Sequence, residues 1–202
     1  MIGYGLGVFL TGEIPAEAYR WRNDPAIIRW CRQYTLLHPA EQEKWEGSIG
    51  LDPHNKMFGI KVKSIDGMAS EFISVGVCGL TNISWIARHA EFSLYIAPEY
   101  QSMGFGKRTL YTLCKHGFED FNLNKIWGES FDGNPSIKMF ESLGFKIGPG
   151  HTQHYFKEGR YLNTYFAVMM REDWEKDGKD RCRDFGKPPR EIGASEGLNL
   201  AC

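Results

Sequence analysis

The sequence has few of the features that mark secreted, membrane-spanning or zinc-binding proteins. Its five cysteines are scattered and form no C-x-x-C pair, so we expect reduced thiols rather than a disulfide framework. No apolar run approaches the roughly 18 residues that a membrane span needs. The first residues lack the basic segment that precedes the apolar part of a signal peptide. We therefore expect a cytoplasmic protein with no membrane partner.

Neither sign of charge predominates. The chain has 24 Lys and Arg against 25 Asp and Glu, a net charge of −1. No overall field and no basic cluster attracts nucleic acid, so we expect no such partner. With 202 residues, 42% hydrophobic and 24% charged, the chain suits one globular domain plus a tail. Periodic apolar positions fail from about Asp173, which predicts a domain over residues 1–174 and a polar, partly disordered extension over 175–202.

Two well-known phosphate-binding motifs are also missing. There is no G-x-x-x-x-G-K-[ST] sequence, and the glycines of residues 3–7 lack the preceding strand and following helix of a dinucleotide fingerprint. Instead, Gly104 and Gly106 follow a predicted strand and open an amphipathic helix. Such a helix start exposes unpaired N–H groups, which predicts a phosphate or pyrophosphate cradle with Lys107 or Arg108 nearby. The alternative is a plain glycine-containing turn before a helix.

Around this loop the pattern of elements changes from strands joined by short connections to alternating strands and helices. Alternation predicts strands, which are Leu6–Leu10, Met57–Lys63, Phe72–Leu80, Ala90–Ile96 and Lys125–Phe131. Helical spacing and caps predict helices, which are Pro15–Arg22, Pro25–Cys31, Pro39–Ser48 and Pro135–Leu143. A turn is predicted over residues 65–68, and a hairpin of residues 154–157 and 160–169 ends the series.

Three segments together resemble the GCN5-related N-acetyltransferases (GNAT). Gln101-Ser102-Met103-Gly104-Phe105-Gly106 is similar to that family's Q/R-x-x-G-x-G/A loop, which holds the coenzyme A pyrophosphate. Residues 90–100 resemble its central strand, and residues 134–145 resemble its second coenzyme-contacting helix and the strand that follows. Residues 21–25 and 170–174 are typical of the branch that acetylates ribosomal-protein N-termini. The similarity spans Leu6 to Trp174.

The resemblance implies an α/β fold with a mixed, mostly antiparallel twisted sheet, splayed central strands and helices on both faces. It implies acetyl-CoA as cosubstrate. By resemblance, the residues that bind it are Leu94, Tyr95, Ile96, Gln101, Ser102, Met103, Gly104, Phe105, Gly106, Lys107, Asn134, Ser136 and Phe140. From local sequence alone, Asn134 is also a helix N-cap. No metal is expected, because His151 and His154 lack further ligands nearby in the sequence.

The implied reaction is direct acetyl transfer to an amine, and Glu91 is the candidate base beside the thioester. Its alternative is a solvated carboxylate at the end of the strand, or a partner of Arg88. Many relatives carry a proton-donating tyrosine where this chain has Phe140, so Ser136 or Tyr155 is the candidate acid. A thiolate with a pKa of roughly 8.5 is also a fair leaving group without one.

The acceptor side is assigned by analogy to Trp21, Arg22 and Trp30, with core packing as the alternative for both tryptophans. The acceptor is a primary amine of a protein N-terminus, an amino sugar or a small molecule. Two other functions stay open: a coenzyme-binding regulatory module without turnover, and an acyltransferase acting on nucleic acid. A homodimer is compatible with the sequence.

Overall fold

The computed structural model describes residues 2–3, 7–63, 72–178 and 180–181. The helices in these ranges are α1 (Ala18–Arg22), α2 (Pro25–Ile28), α3 (Pro39–Ile49), α4 (Phe105–Lys115), α5 (Ser136–Ser142) and α6 (Arg171–Lys176). The strands are β1 (Ile2–Gly3), β2 (Val8–Thr11), β3 (Lys56–Lys63), β4 (Phe72–Ser84), β5 (His89–Ile96), β6 (Lys125–Phe131), β7 (Lys146–Pro149), β8 (Tyr155–Lys157), β9 (Arg160–Leu162) and β10 (Thr164–Met170). None of the described helices is long and apolar enough to cross a membrane.

Eight of these strands form one sheet in the order β1-β2-β3-β4-β5-β6-β10-β7. Within it β5 and β6 pair in parallel, and the other described neighbours pair antiparallel. A parallel pair needs a crossover connection, which α4 supplies between β5 and β6. The predicted fold class, mixed and mostly antiparallel, is confirmed.

The two central strands separate partway along their length. β5 and β6 are paired only from His89↔Lys125 to Glu91↔Trp127. Beyond that point β5 keeps its antiparallel partner β4 as far as Ile96, while β6 runs on beside β10. The result is a V-shaped opening between residues 92–96 and 128–131, as the resemblance implies.

Strand alternation sends the side chains of β5 to two different cores. Phe92 and Ile96 join the large core, together with Phe105 and Leu110 of α4. Tyr95 packs on the opposite face against the small cluster that contains Trp21 of α1. The opening therefore has α4 and α5 on one face of the sheet and α1 and α2 on the other.

The structure corrects several predicted boundaries. β4 extends four residues beyond the predicted Leu80 and contains an irregularity between Thr81 and Ser84, where Asn82 adopts a left-handed φ of 51°. The predicted strand of residues 160–169 is broken at Asn163, so the hairpin of β8 and β9 stands apart from the main sheet. The predicted turn over residues 65–68 lies outside the described residues.

The chain after β10 does not lose structure at Asp173. Residues 171–176 form α6, and Trp174 is 2% exposed. Its ring stacks on Phe118 at 5.6 Å and lies 5.1 Å from the ring of Tyr111. The charged neighbours also contact the domain, since Arg171 donates to the carbonyl oxygens of Leu123 and Phe118 and Lys146 pairs with Asp173. The predicted disordered extension lies outside the described residues from residue 182 onward.

Candidate active site

A cavity of about 680 Å³ occupies the opening between β5 and β6. Most residues predicted to bind coenzyme or acceptor line it. They are Arg22, Trp30, Glu91, Leu94, Tyr95, Ile96, Gln101, Ser102, Gly104, Gly106, Lys107, Asn134, Ser136 and Phe140. The structure thus brings together segments that are separated by more than a hundred residues in the chain.

Among the predicted site residues, Trp21, Phe105 and Met103 do not line the cavity. Trp21 is 3% exposed and packs in the small core, where its indole N–H donates to Glu99. Phe105 is 2% exposed and belongs to the large core, so only its backbone is available at the helix start. Met103 points outward and is 38% exposed. For Trp21 the core-packing alternative describes the observed position.

The glycine loop forms the floor of the cavity at the start of α4. Gly104 precedes α4 with a φ of +83°, a backbone conformation that residues other than glycine rarely adopt. A Cβ there would meet nothing within 4 Å, so the space above the loop is open. Gly106 has an ordinary φ, but its Cβ would come within 3.4 Å of Met139 Sδ on α5. The first N–H groups of α4 have no intrahelical acceptor and face this open floor.

Gln101 has a structural role in this loop. Its side-chain Nε2 donates to the carbonyl oxygen of Ile96 at 3.0 Å. This bond ties the start of the loop to the end of β5 and satisfies a carbonyl that lost its partner strand at the opening. Gln101 at the first position of the motif therefore fixes the loop, and the glycines and the helix start are left as the candidate anion-binding part.

Backbone N–H groups of β5 face the opening. Ala97 N–H donates to Val75 O of the preceding strand at 2.9 Å. Because backbone donors alternate along a strand, the N–H of Tyr95 also points toward β4, and those of Leu94 and Ile96 point toward the opening. β6 has diverged there, so these donors are available to a carbonyl oxygen inside the cavity.

Helix α5 forms the wall opposite the loop. Asn134 Oδ1 accepts from Ser136 N–H at 2.9 Å, the predicted capping interaction, although the helix itself begins at Ser136. Gly144 follows the helix with a left-handed φ of +91°, a conformation that commonly ends helices. The ring of Phe140 is 6% exposed and packs edge-on against Phe92 at 5.1 Å. It has no hydroxyl, so α5 offers Ser136 as its candidate proton donor.

Glu91 lies where the strands separate, and both of its carboxylate oxygens are engaged. Oε1 accepts from Arg32 Nη2 at 2.6 Å, and Oε2 accepts from Asn82 Nδ2 at 2.8 Å. The suggested partner Arg88 is wrong, because that side chain bonds instead to Asn122. The irregularity in β4 is what aims Asn82 at the carboxylate. Each oxygen therefore already accepts one hydrogen bond, and Glu91, at 2% exposure, is not the solvated carboxylate of the alternative.

A second carboxylate, Glu129 on β6, lies on the other side of the opening. Its side chain is 6% exposed and accepts from Thr164 Oγ1 at 2.7 Å, Tyr155 OH at 3.1 Å and His151 Nδ1 at 2.9 Å. Burial alone would raise the pKa of Glu129, but these hydrogen bonds and the charge of Arg32 lower it. Glu129 is thus held as a carboxylate inside the cavity.

Arg32 connects the two carboxylates. Its Nη1 lies 3.6 Å from Glu129 Oε2, in addition to the bond with Glu91. Although burial alone would lower the pKa of Arg32, the charges and hydrogen bonds of Glu91 and Tyr155 raise it. The guanidinium is charged and its side chain is 50% exposed.

The side chain of Lys157 on β8 holds the loop that carries Arg32 in place. Lys157 Nζ donates to the carbonyl oxygens of Ile28, Cys31 and Gln33 at 2.5, 2.7 and 3.0 Å. Burial lowers the pKa of Lys157, and it also lies 5.6 Å from the ring centre of Phe131. Arg22 contributes to the same wall by donating to Gln33 Oε1 at 3.1 Å.

The candidate acid Tyr155 does not line the cavity. Its hydroxyl donates to Glu129, and its ring packs on Phe131 at 5.2 Å. Burial, followed by the neighbouring charge of Glu129, raises the pKa of Tyr155. Tyr155 therefore supports the carboxylate from behind.

Several residues that line the cavity were missed by sequence reasoning, and the polar ones among them include Arg32, Glu129 and Ser130. Arg32 lies in a loop without a motif. Glu129 lies in a strand whose partner was unknown, although a charged residue within a half-buried strand is a signal that could have identified it. The hydroxyl of Ser130 is buried with no hydrogen-bond partner among the described residues, which is visible only in three dimensions.

Comparisons with known proteins agree with this geometry. The chain is 35% identical over 102 residues to a spermidine N(1)-acetyltransferase of Vibrio cholerae, a match that covers 50% of this chain and 58% of that relative. It is 22% identical over 165 residues to a putative ribosomal N-acetyltransferase of Bacillus subtilis, covering 81% and 76% of the two chains. The match thus spans less than two thirds of the length of the Vibrio cholerae relative.

The fold is similar to that of a solved structure, the Vibrio cholerae spermidine N-acetyltransferase in complex with CoA and spermine. The TM-score is 0.76 at 21% identity, with 84% of this chain and 99% of that chain covered. A further structure of that enzyme is dodecameric. The family model of the acetyltransferase (GNAT) domain matches residues 12–146, which include β5, the glycine loop and α5. The chain belongs to the GNAT acetyltransferase family, the acyltransferases whose acetyl donor is acetyl-CoA.

Proposed function

We propose that this protein transfers an acetyl group from acetyl-CoA to a primary amine of a small cationic molecule of the polyamine type. The observation that carries the proposal is the pair of nearly buried carboxylates, Glu91 and Glu129, on the two strands that diverge. A cationic acceptor is drawn to such a pair, and the opening beside it holds backbone donors for a carbonyl oxygen.

The coenzyme fits the opposite end of the cavity. The open space above Gly104, the helix start of α4 and the cation of Lys107 suit a pyrophosphate. Asn134 and Ser136 on the α5 wall suit the amide groups of the pantetheine arm. When bound, acetyl-CoA supplies the acetyl group already activated as a thioester.

The residues at the divergence have separate tasks in the transfer. An alkylammonium has a pKa near 10.4, so only about one molecule in a thousand is neutral at pH 7.4, a handicap of roughly 4 kcal/mol. Glu91 accepts the proton that the ammonium must lose, directly or through water. The N–H groups of Leu94 and Ile96 stabilise the negative charge that develops on the carbonyl oxygen as the nitrogen attacks.

In the last step the carbon–sulfur bond breaks and the thiolate departs, and the nitrogen gives its remaining extra proton to the leaving sulfur or to water. Ser136, which lines the cavity on α5, is the proposed hydrogen-bond donor to that sulfur. Its proton is not essential, since a thiolate of pKa roughly 8.5 is a fair leaving group.

The acceptor class rests on the carboxylate pair and on the resemblance to spermidine N-acetyltransferases. The Bacillus subtilis relative makes a peptide N-terminus the second acceptor to test. A homodimer stays a prediction, and so does the absence of a nucleic-acid acceptor.

The test is a screen of amines with acetyl-CoA, read by release of free thiol and by the mass of the product. The panel contains spermidine, spermine, amino sugars, peptides with free N-termini and an oligonucleotide, and the already acetylated form of each amine is the control. We expect turnover to be highest with the polyamines. Binding of acetyl-CoA without thiol release for any amine would instead favour the regulatory module, and turnover only with an oligonucleotide would favour a nucleic-acid acyltransferase.

A further inference from the structure

Arg32 lies between the two nearly buried carboxylates of the cavity. Its guanidinium lies 2.6 Å from Glu91 and 3.6 Å from Glu129, at the point where the two strands separate. The two carboxylates are 3% and 6% exposed, whereas the Arg32 side chain is 50% exposed. The cation therefore closes the outer end of a buried acidic pair and stands between that pair and solvent.

A guanidinium and an alkylammonium present the same charge and the same kind of N–H donor to a carboxylate. Two cations placed between Glu91 and Glu129 would repel each other. An ammonium that reaches the divergence must therefore replace Arg32 there. The backbone of the loop need not move, because Lys157 holds three of its carbonyl oxygens, and the half-exposed side chain has solvent on one side.

We propose that Arg32 is an internal stand-in for the acceptor ammonium, and that the acceptor displaces it from between Glu91 and Glu129. This inference rests on the proposed function, because it takes the acceptor to be a cationic amine. Displacement frees Oε1 of Glu91, while Asn82 keeps its hydrogen bond to Oε2. The carboxylate then gains an open oxygen only when an acceptor is present. Arg32 is thus a specificity residue, which selects acceptors whose cation competes with a guanidinium.

The test measures amine binding rather than turnover. Spermidine is titrated by calorimetry into protein that is saturated with CoA, which carries no acetyl group, so no reaction occurs. The variants are Arg32→Ala and Arg32→Gln. The second keeps a neutral hydrogen-bonding side chain over the carboxylates in case the alanine variant does not fold. Arg20→Ala is the matched control, since its exposed ion pair with Glu99 is outside the cavity lining.

We expect both Arg32 variants to bind spermidine about tenfold more tightly, because a site blocked in nine molecules out of ten loses that factor in apparent affinity. The affinity for CoA and the behaviour of Arg20→Ala should not change. Guanidinium chloride at low millimolar concentration should compete with spermidine in Arg32→Ala and not in the unmodified protein. Spermidine binding that is equal or weaker in both Arg32 variants would overturn the inference. It would also be overturned if Arg32→Ala bound spermidine more weakly and added guanidinium restored that binding.

The outcome is separable from that of the proposed function. If no amine is acetylated, the function fails, yet the binding comparison still decides whether Arg32 competes with a cation. If spermidine is acetylated and the Arg32 variants bind it less tightly, the function stands and the displacement is wrong. In that case Arg32 would be part of the built acceptor site.

Discussion

Glu91 lies opposite Trp127 in the last parallel pair that joins β5 to β6. One residue further along, the strands separate. The carboxylate therefore sits where the backbone of β5 first becomes free to bind a ligand. The position of this carboxylate, the two N–H groups of Leu94 and Ile96 that lack a strand partner, and the cavity beside them all follow from the place at which one strand pairing stops.

The glycine loop can be tested with two glycines of matching conformation. Gly104 and Gly159 have φ values of +83° and +77°, and a Cβ at either position would meet nothing within 4 Å. Valine at each should therefore cost a similar amount of stability, about 1–2 kcal/mol from the left-handed backbone. Only Gly104→Val should lose the rise in melting temperature with acetyl-CoA, because only Gly104 lines the cavity. Equal responses of the two variants to acetyl-CoA would remove the loop from the coenzyme site.

The two carboxylates should differ in their kinetic roles. Glu91→Gln keeps the shape and removes the base, so we expect kcat to fall about 100-fold or more, with the affinity for acetyl-CoA unchanged. Glu129 is already bonded by three side-chain donors. Glu129→Gln should therefore raise the KM for the amine more than it lowers kcat. Steady-state kinetics with each substrate varied would show it, and the reverse pattern would assign proton removal to Glu129.

Lys157 should affect the acceptor side alone. Lys157→Met leaves the carbonyl oxygens of Ile28, Cys31 and Gln33 without their shared donor. We expect a loss of about 1.5–3 kcal/mol in the free energy of unfolding, the usual range for hydrogen bonds to a charged group. The KM for the amine should rise while that for acetyl-CoA stays the same. Arg160→Met on the adjacent strand is the control, and an equal rise in both KM values would contradict the assignment.

The C-terminal segment should divide into a docked part and a dispensable part. Trp174→Ala removes a ring buried against Phe118 and Tyr111 and should lower the free energy of unfolding by about 3–5 kcal/mol. Deletion of residues 187–202 should leave folding and coenzyme binding intact, since the sequence there offers little apolar area to offset the ordering cost of about 1–2 kcal/mol per residue. Thermal denaturation and limited proteolysis measure both. Loss of activity after trimming at Arg183 or Lys187 would make the tail part of the enzyme.

The order of strands and helices and the glycine turn before α4 could be predicted because they depend on local patterns, and the family resemblance supplied the fold class. The glycines, the capping Asn134 and the Gly144 stop are short-range signals with a definite backbone meaning. The parallel pair of β5 and β6 also follows from a strand, helix and strand in that order.

The acceptor side was less accessible because it is built from long-range contacts. Arg32 meets Glu91 across 59 positions in the chain, and Lys157 reaches Cys31 across 126. No periodicity or motif encodes such pairs. The same limit explains Trp21, whose neighbours in sequence suggested a substrate contact, although its indole packs between α1 and the sheet.

The position of the coenzyme sulfur in a crystal of the CoA complex tests the account most directly. We expect the pyrophosphate at the start of α4 over Gly104 and Gly106. We expect the pantetheine arm between β5 and β6, and the sulfur at the divergence beside Glu91, within reach of the Leu94 and Ile96 N–H groups. A sulfur that lies outside the opening, or a pyrophosphate bound away from α4, would contradict the account.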